Sequence, residues 1–167
     1  MAERAWIRGA QRGSVDDLER LFRAHWPRAF RAARLVTGDA AAAEDIAQEA
    51  FLAAVRHLDR FDRRRPFGPW LHRIVVNRAI DWTRARRLRA EVELGEHVPA
   101  PAAHEPGDGT LGRIAELPPE HRAVVVLRYV LEYTPGEISE LLDLPRGTVN
   151  SRLRRGLDRM RDGRDDA

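Results

Sequence analysis

Thr134–Arg161 reads TPGEISELLDLPRGTVNSRLRRGLDRMR, and its punctuation decides the fold of this end of the chain. Thr134 before Pro135 is a helix start, because a threonine oxygen can accept an unpaired backbone N–H and proline loses little at the first helical position. The spacing predicts a short helix over Pro135 to Leu142. Asp143-Leu144-Pro145 ends it, and a second helix is expected from about Arg146 to Arg161. Val149, Leu153 and Leu157 recur every four residues, with Met160 three further on, which makes one inward stripe. Arg146, Thr148, Asn150, Ser151, Arg154 and Arg155 lie off that stripe. Two short helices joined by a tight turn, the second rich in arginine, form a helix-turn-helix pattern, here without the glycine often found in the turn. A helix in the major groove offers such side chains to base edges, while the remaining arginines hold phosphates. The plainer reading is a solvated basic face; the short helix in front of it favours DNA.

Working back from Thr134, Val124 to Leu131 is a dense apolar stretch, preceded by a helix start at Leu117-Pro118-Pro119-Glu120. Before that, residues 91–112 read EVELGEHVPAPAAHEPGDGTLG, rich in Pro, Gly, Ala and acids, with no sustained helical period. This is expected to be a flexible linker. It separates residues 1–90 from residues 113–167, so the fold class expected is all-α, two small helical domains joined by a linker.

Residues 1–90 look helical throughout. A short helix over Glu3 to Gln11 is broken at Gly13, and Ser14 caps the next, with Asp16 and Asp17 in its first turn. That helix carries Leu18, Leu21, Phe22, Phe30, Ala33 and Leu35 on one stripe, and Pro27 inside it is expected to kink or divide it. Gly38-Asp39 closes it and caps a third helix. There Ile46, Ala50, Ala54 and Leu58 share a face, with Phe51 and Val55 beside them. Glu44, Asp45, Gln48 and Glu49 make an acidic face. Acids near a helix start complement its dipole, which accounts for Glu44 and Asp45 better than for Gln48 and Glu49. An arginine-rich connector, DRFDRRRPFGP, leads to a fourth helix expected from about Trp70 to Arg89. Leu71, Ile74, Val75 and Ile80 are its core; Arg73, Asn77, Asp81 and Arg84 lie on another face. Phe67, Trp70 and Trp82 flank them, beside Arg63, Arg64 and Arg65. Aromatics interleaved with arginines suit unpaired DNA, where bases stack and phosphates need neutralising. Trp70 is expected in the core, and Phe67, placed in a loop after Pro66, is expected to be exposed.

Charge follows the same division. The net charge is +3, but residues 1–90 carry +8, residues 91–120 carry −6 and residues 121–167 carry +1, so basic segments flank an acidic connector. All 29 basic residues are arginine, a usage that GC-rich coding explains and nucleic acid binding tolerates. There is no cysteine, which excludes disulfides, thiolate metal sites and cysteine nucleophiles. No apolar run reaches the roughly 18 residues of a membrane span, and the charged N-terminus is unlike a secretory leader, so a cytoplasmic protein without membrane insertion is expected. Gly107-x-Gly109-x-x-Gly112 matches a dinucleotide fingerprint by letter but follows no strand. HExxH is absent, no His follows a Glu by three residues, and Ser14, Ser139 and Ser151 read as cap or helix residues. No catalytic residue, metal site or cofactor is expected, and the chain reads as a non-enzyme.

Three stretches resemble the extracytoplasmic-function sigma factors of bacterial RNA polymerase. GDAAAAEDIAQEAFLAAVRHLDRF resembles the family's core-binding and melting region, PFGPWLHRIVVNRAIDWTRAR its -10 element region, and Leu117–Arg161 its -35 element region. The D-x-x-Q-E-x-F string at Asp45–Phe51 and P-x-G-T-V-x-S-R at Pro145–Arg152 are its most specific parts. The resemblance implies that Asp45, Gln48 and Glu49 meet the polymerase clamp. It implies that the loop from Asp59 to Phe67 captures a flipped base of the -10 element on the non-template strand, with Phe67 and Asn77 at that pocket. Arg63, Arg64, Arg65, Arg73 and Arg84 belong to the same surface. Asn150, Ser151, Arg154 and Arg155 align with readers of the -35 element, with Arg152 and Thr148 on the backbone and Arg146 beside them. The linker would thread towards the RNA exit channel. The partners implied are bacterial core RNA polymerase (clamp and flap), promoter DNA and an anti-sigma factor. Gly156-Leu157 departs from the Ala-Arg usual in the family, and Pro135-Gly136 from its Tyr/Glu-rich helix starts. A polymerase-independent helix-turn-helix regulator is the alternative, which the Asp45–Phe51 face and the aromatic and arginine-rich fourth helix disfavour. A sigma mimic that sequesters an anti-sigma partner is a third, disfavoured by the intact 146–155 face.

Overall fold

In a computed structural model that describes residues 1–94 and 109–165, all regular elements are helical. Helix α1 covers Ala2–Gln11, α2 Val15–Thr37, α3 Ala40–Arg56 and α4 Phe67–Leu94, with one 3-10 turn at Leu58–Arg60. Helix α5 covers Thr110–Glu116, α6 Pro119–Val125, α7 Pro135–Leu142 and α8 Arg146–Asp165, and α6 continues into a π-type segment at Val126–Val130.

The caps fall where the side chains dictate. Ser14 Oγ accepts from the Asp17 N–H, Asp39 from the Ala42 N–H, and Thr134 forms a reciprocal capping box with Glu137. Gly38 and Asp143 close α2 and α7 in left-handed conformation. Pro27 does not divide α2, which runs unbroken for 23 residues. A mid-helix proline costs roughly 3 kcal/mol. Packing on both sides of it offsets that: Leu21, Ala29, Ala32, Ala33 and Val36 are fully buried, and Trp26 and Phe30 pack on the core.

Helices α2, α3 and α4 form the first core, with α1 laid against α2. Ile46, Ala47, Ala50, Phe51 and Ala54 of α3 and Leu71, Val75, Val76, Ala79 and Ile80 of α4 fill it. Val55, expected beside that stripe, is 40% exposed. In the second module α8 crosses α6, and α7 packs on α8. Gly156 packs closely on α6, since a Cβ there would sit 2.9 Å from Val125 Cγ2. Glycine at this position, where the resemblance puts alanine, leaves that contact unstrained. The expected linker at 91–112 is helical at both ends. An Arg87–Glu91 pair of 3.9 Å lies on the last turns of α4, and Ile114 and Leu117 anchor α5 in the core. The rest of that linker, residues 95–108, lies outside the described residues.

The two modules share one continuous core. Arg122 is the deepest tie. Its guanidinium is buried and donates to the carbonyls of Val36 (2.6 Å), Ala115 (2.6 Å) and Leu117 (2.9 Å), and burial lowers its pKa to about 10. Arg28 of α2 donates to the Leu131 carbonyl at 2.9 Å. The π-type segment, closed by the Leu131 N–H on Val126 O, turns the chain so that Leu131 and Tyr133 face the first module.

Candidate nucleic-acid interface

Three surfaces carry the residues singled out from the sequence. On α3, Glu44, Asp45, Gln48 and Glu49 are all exposed, opposite buried Ile46, Ala47 and Ala50. Gln48 Nε2 donates to Glu44, and Arg78 of α4 donates to Glu49 at 3.2 Å. Leu52 lies on the same face, 55% exposed, and exposed Val55 follows one turn on, so the acidic ridge runs into an apolar strip. Helical spacing from Asp45 and Gln48 reaches Leu52 and could have found it; Val55 was lost to the core stripe.

The second surface is the loop from Asp59 to Pro66 with the exposed face of α4. Arg63, Arg64 and Arg65 are exposed, and Arg64 grips Asp62 through Nε and Nη2, which lowers the Asp62 pKa. Arg73, Asp81 and Arg84 are exposed and Asn77 is half-buried, as the spacing predicts for one face. Trp70 packs on the core. Phe67 does not have the exposed position expected of it: it is only 3% exposed. Helix α4 begins three residues earlier than expected, at Phe67 itself, which turns the ring inward. There it meets His25 (5.0 Å between centroids), Trp70 (5.6 Å) and Phe61 (5.8 Å). Phe67 is therefore a floor under the loop, with no face free to stack a base.

This surface is partly covered by the second module. A cavity of about 670 Å³ lies between them, lined by Arg60, Arg65 and Arg73 on one side and Tyr133, Glu137 and Glu140 on the other. Arg84 donates to Glu120 of α6 at 2.9 Å. His72 Nδ1 and the Tyr133 hydroxyl share a 2.6 Å hydrogen bond. Burial, with the charges of Arg28 and His25, pushes the His72 pKa down to about 4, and burial raises that of Tyr133 to about 12. The pair is neutral at pH 7. No charge periodicity marks His72, Tyr133, Arg28 or Arg122. Arg122 alone left a trace, as the last charge before the apolar run at 123–127.

The third surface is α8. Val149 and Leu153 are buried, while Arg146, Asn150, Arg154 and Arg155 are exposed and Thr148, Ser151 and Arg152 half-buried. Thr148, Ser151, Arg152 and Arg155 line a shallow groove of about 550 Å³ with Glu120 and His121. Arg146, Asn150, Arg154 and Arg155 are the side chains open to solvent, as groove reading needs, while Thr148, Ser151 and Arg152 stand beside Glu120 and His121 of α6. Among the described residues, no group of three His, Asp or Glu side chains could hold a metal ion, and no helix is long and apolar enough to cross a membrane.

Known proteins match along the same division. The sigma-70 region 2 family matches residues 21–89 and the sigma-70 region 4 family residues 111–160. The ECF RNA polymerase sigma factor SigW of Bacillus subtilis is 32% identical, over 93% of this chain and 92% of its own. SigL of Mycobacterium tuberculosis is 33% identical over 89% of both, and CarQ of Myxococcus xanthus, an RNA polymerase sigma factor, 31% over 90% of both. Among solved structures, CnrH in complex with the cytosolic domain of CnrY is 28% identical, with a TM-score of 0.75 over 99% of both chains. RpoE of Bartonella quintana in complex with the anti-sigma factor NepR has a TM-score of 0.71 at 19% identity, a likeness of fold.

Proposed function

The chain belongs to the extracytoplasmic-function sigma factors of bacterial RNA polymerase, and we propose that it divides promoter recognition among the three surfaces just described. The α3 ridge of Asp45, Gln48 and Glu49, continued by Leu52, docks on the polymerase. Arg63, Arg64, Arg65, Arg73, Asn77 and Arg84 hold the -10 element, with Phe67 supporting the loop from beneath. Arg146, Thr148, Asn150, Ser151, Arg152, Arg154 and Arg155 take the -35 element. Residues 1–90 and 113–167 act as separate domains, with the acidic stretch between them as connector. The protein works in the cytoplasm and needs no catalytic group or cofactor. It recruits a polymerase and trades base stacking for contacts with an unpaired strand, an exchange of a few kcal/mol per flipped base.

One observation carries this reading: an exposed acidic ridge and an arginine-bearing face stand on the first module, and a second arginine-bearing face on the other module of the same chain. A polymerase-independent regulator uses the α8 face and leaves the ridge without a task. CnrH, solved with the cytosolic domain of CnrY, supports a protein partner that binds this chain too, which we take to be an anti-sigma factor.

The test is transcription in vitro with sigma-free bacterial core polymerase, this protein and fragmented genomic DNA, followed by mapping of RNA 5′ ends. Discrete starts sharing two upstream elements are expected. Sequence-specific DNA binding by the protein alone, with no starts, overturns the reading in favour of the regulator.

A further inference from the structure

The region 2 match begins at residue 21, so α1 lies outside it. Helix α1 is nevertheless fastened to the loop that carries the -10 arginines. Ile7 is fully buried and Trp6 packs on the core. Gln11 Nε2 donates to the carbonyls of Leu58 (2.8 Å) and Phe61 (3.1 Å), on either side of the loop's first turn. At the other end of α1, Glu3 pairs with His25 of α2 at 2.6 Å. These ties fix Arg4 and Arg8, one turn apart, on the open side of the helix.

The loop's arginines face two ways. Arg60 and Arg65 line the cavity shared with the second module. Arg63 and Arg64 instead line a cleft of about 360 Å³ with Arg4 and Arg8 and no other residue. Among the described residues Arg4, Arg8 and Arg63 have no ion-pair partner, and Arg64 is paired with Asp62. Four arginines from two distant parts of the chain thus line one concavity, with no acid among its lining residues. Their mutual repulsion is relieved by an anion, and their fork geometry matches phosphate.

We propose that α1 is a further DNA-contact element, in which Arg4 and Arg8, with Arg63, hold phosphates of the non-template strand as it leaves the -10 loop on the downstream side. The side follows from the layout. Arg60 and Arg65 border the second module and Arg63 and Arg64 border α1, so a strand that enters the loop from the side of the -35 module, once that module has moved off, leaves it beside α1. The inference rests on the -10 reading of the loop given above.

Its test uses holoenzyme assembled from the full chain and core polymerase. The probes are two fluorescein-labelled forks of a promoter mapped by the start-site experiment. In one the unpaired non-template strand stops at the last base of the -10 element; in the other it continues for about ten nucleotides, room for several phosphate contacts. Arg4→Ala with Arg8→Ala is expected to weaken the long fork about ten-fold at 0.1 M salt and to flatten its log–log salt slope by about 1.4, the value for two lost single-strand contacts. The short fork should change less than about two-fold, and Arg4→Lys with Arg8→Lys should keep most of the affinity, because a phosphate contact needs charge above all. Equal loss on both forks, or no loss on the long one, overturns the proposal. So does a fall in core affinity, which assigns the cleft to an acidic polymerase surface. If wild-type holoenzyme binds neither fork, the -10 reading fails and the α1 assignment fails with it. Wild-type binding with an unaffected double variant removes the α1 assignment alone.

Discussion

The molecule carries two arginine-rich faces of similar composition, and they differ in what lies on them. Along the loop and α4, arginines meet acids of the neighbouring module: Glu120 binds Arg84, while Glu137 and Glu140 look across a cavity at Arg60, Arg65 and Arg73. On α8, Arg146, Asn150, Arg154 and Arg155 meet solvent. One face must be uncovered before a DNA strand can lie along it; the other is ready. Arginine content alone does not distinguish them, because availability is a property of the packing between modules.

The strongest way to break this asymmetry is to remove the most deeply buried of the ties between the modules. Arg122→Met leaves the Val36, Ala115 and Leu117 carbonyls without their donor. The expected loss is about 5 kcal/mol, on the scale of three hydrogen bonds to a charged group at roughly 1.5 to 2 kcal/mol each, of which the Val36 bond is the one that crosses between the modules. Urea unfolding measures it. Small-angle scattering at low denaturant should show an expanded chain with its helices intact. Unchanged stability and unchanged dimensions would mean that Arg122 holds nothing.

Acid should loosen the same contact through His72. Its folded pKa is depressed to about 4 from 6.5, so it contributes nothing above pH 6.5, where the ring is neutral in every state. Between pH 6.5 and 4 the opened or unfolded chain takes a proton that the folded site refuses, and stability falls as pH falls. The groups facing the ring, Arg28, His25 and Tyr133, offer a cation no carboxylate, and Nε2 has no partner. The loss is about 2 kcal/mol by pH 5 and about 3 kcal/mol by pH 4. Other groups titrate in that range, so the readout is the difference in pH dependence between wild type and His72→Gln. Parallel curves between pH 7 and 5 would remove His72 from the account.

These two residues also show where the sequence stops being informative. Helix ends were legible, because caps are local: Ser14, Gly38-Asp39 and Thr134 each signal a boundary within a few residues of chain. The α8 face was legible because one helix presents it without outside help. Phe67 was misplaced because a start three residues earlier reverses the direction of a side chain, and Pro66 hid that start. The α4 end at Leu94 was missed because its last turns are exposed and carry no apolar period. The ties of Arg122 to Val36 and of His72 to Tyr133 leave no sequence pattern, because the partners lie 86 and 61 positions apart in the chain.

On the open face the comparison is sharpened by asking what each arginine reads. Arg154→Ala should weaken -35-dependent binding by about 2 kcal/mol on the preferred sequence if Arg154 pairs with a base, and less on sequences altered at that base. Binding of the holoenzyme to a panel of single-base variants decides it. Equal loss on every sequence would make Arg154 a phosphate contact and leave reading to Asn150 and its neighbours.

The smallest effect belongs to the pair that joins the two faces. Arg84 is about half exposed, and Glu120 has 30% of its side chain accessible, so their ion pair is screened by water. Such pairs contribute roughly 0.5 kcal/mol, which limits Glu120→Gln to about a two-fold change in the balance between closed and open modules. That small change has a specific direction. It releases Arg84 and removes a negative charge from the edge of the α8 groove, where Glu120 lines the wall beside Thr148, Ser151 and Arg152. Both consequences favour a polyanion, so DNA affinity of the free chain should rise by about two-fold at 0.05 M salt and return to the wild-type value at about 0.3 M, where screening reaches within a few ångströms. Arg84→Gln removes the same ion pair but not the Glu120 charge, and should not raise DNA affinity. If both variants raise it equally, opening of the modules is the cause; if only Glu120→Gln does, the cause is the carboxylate standing beside the -35 face.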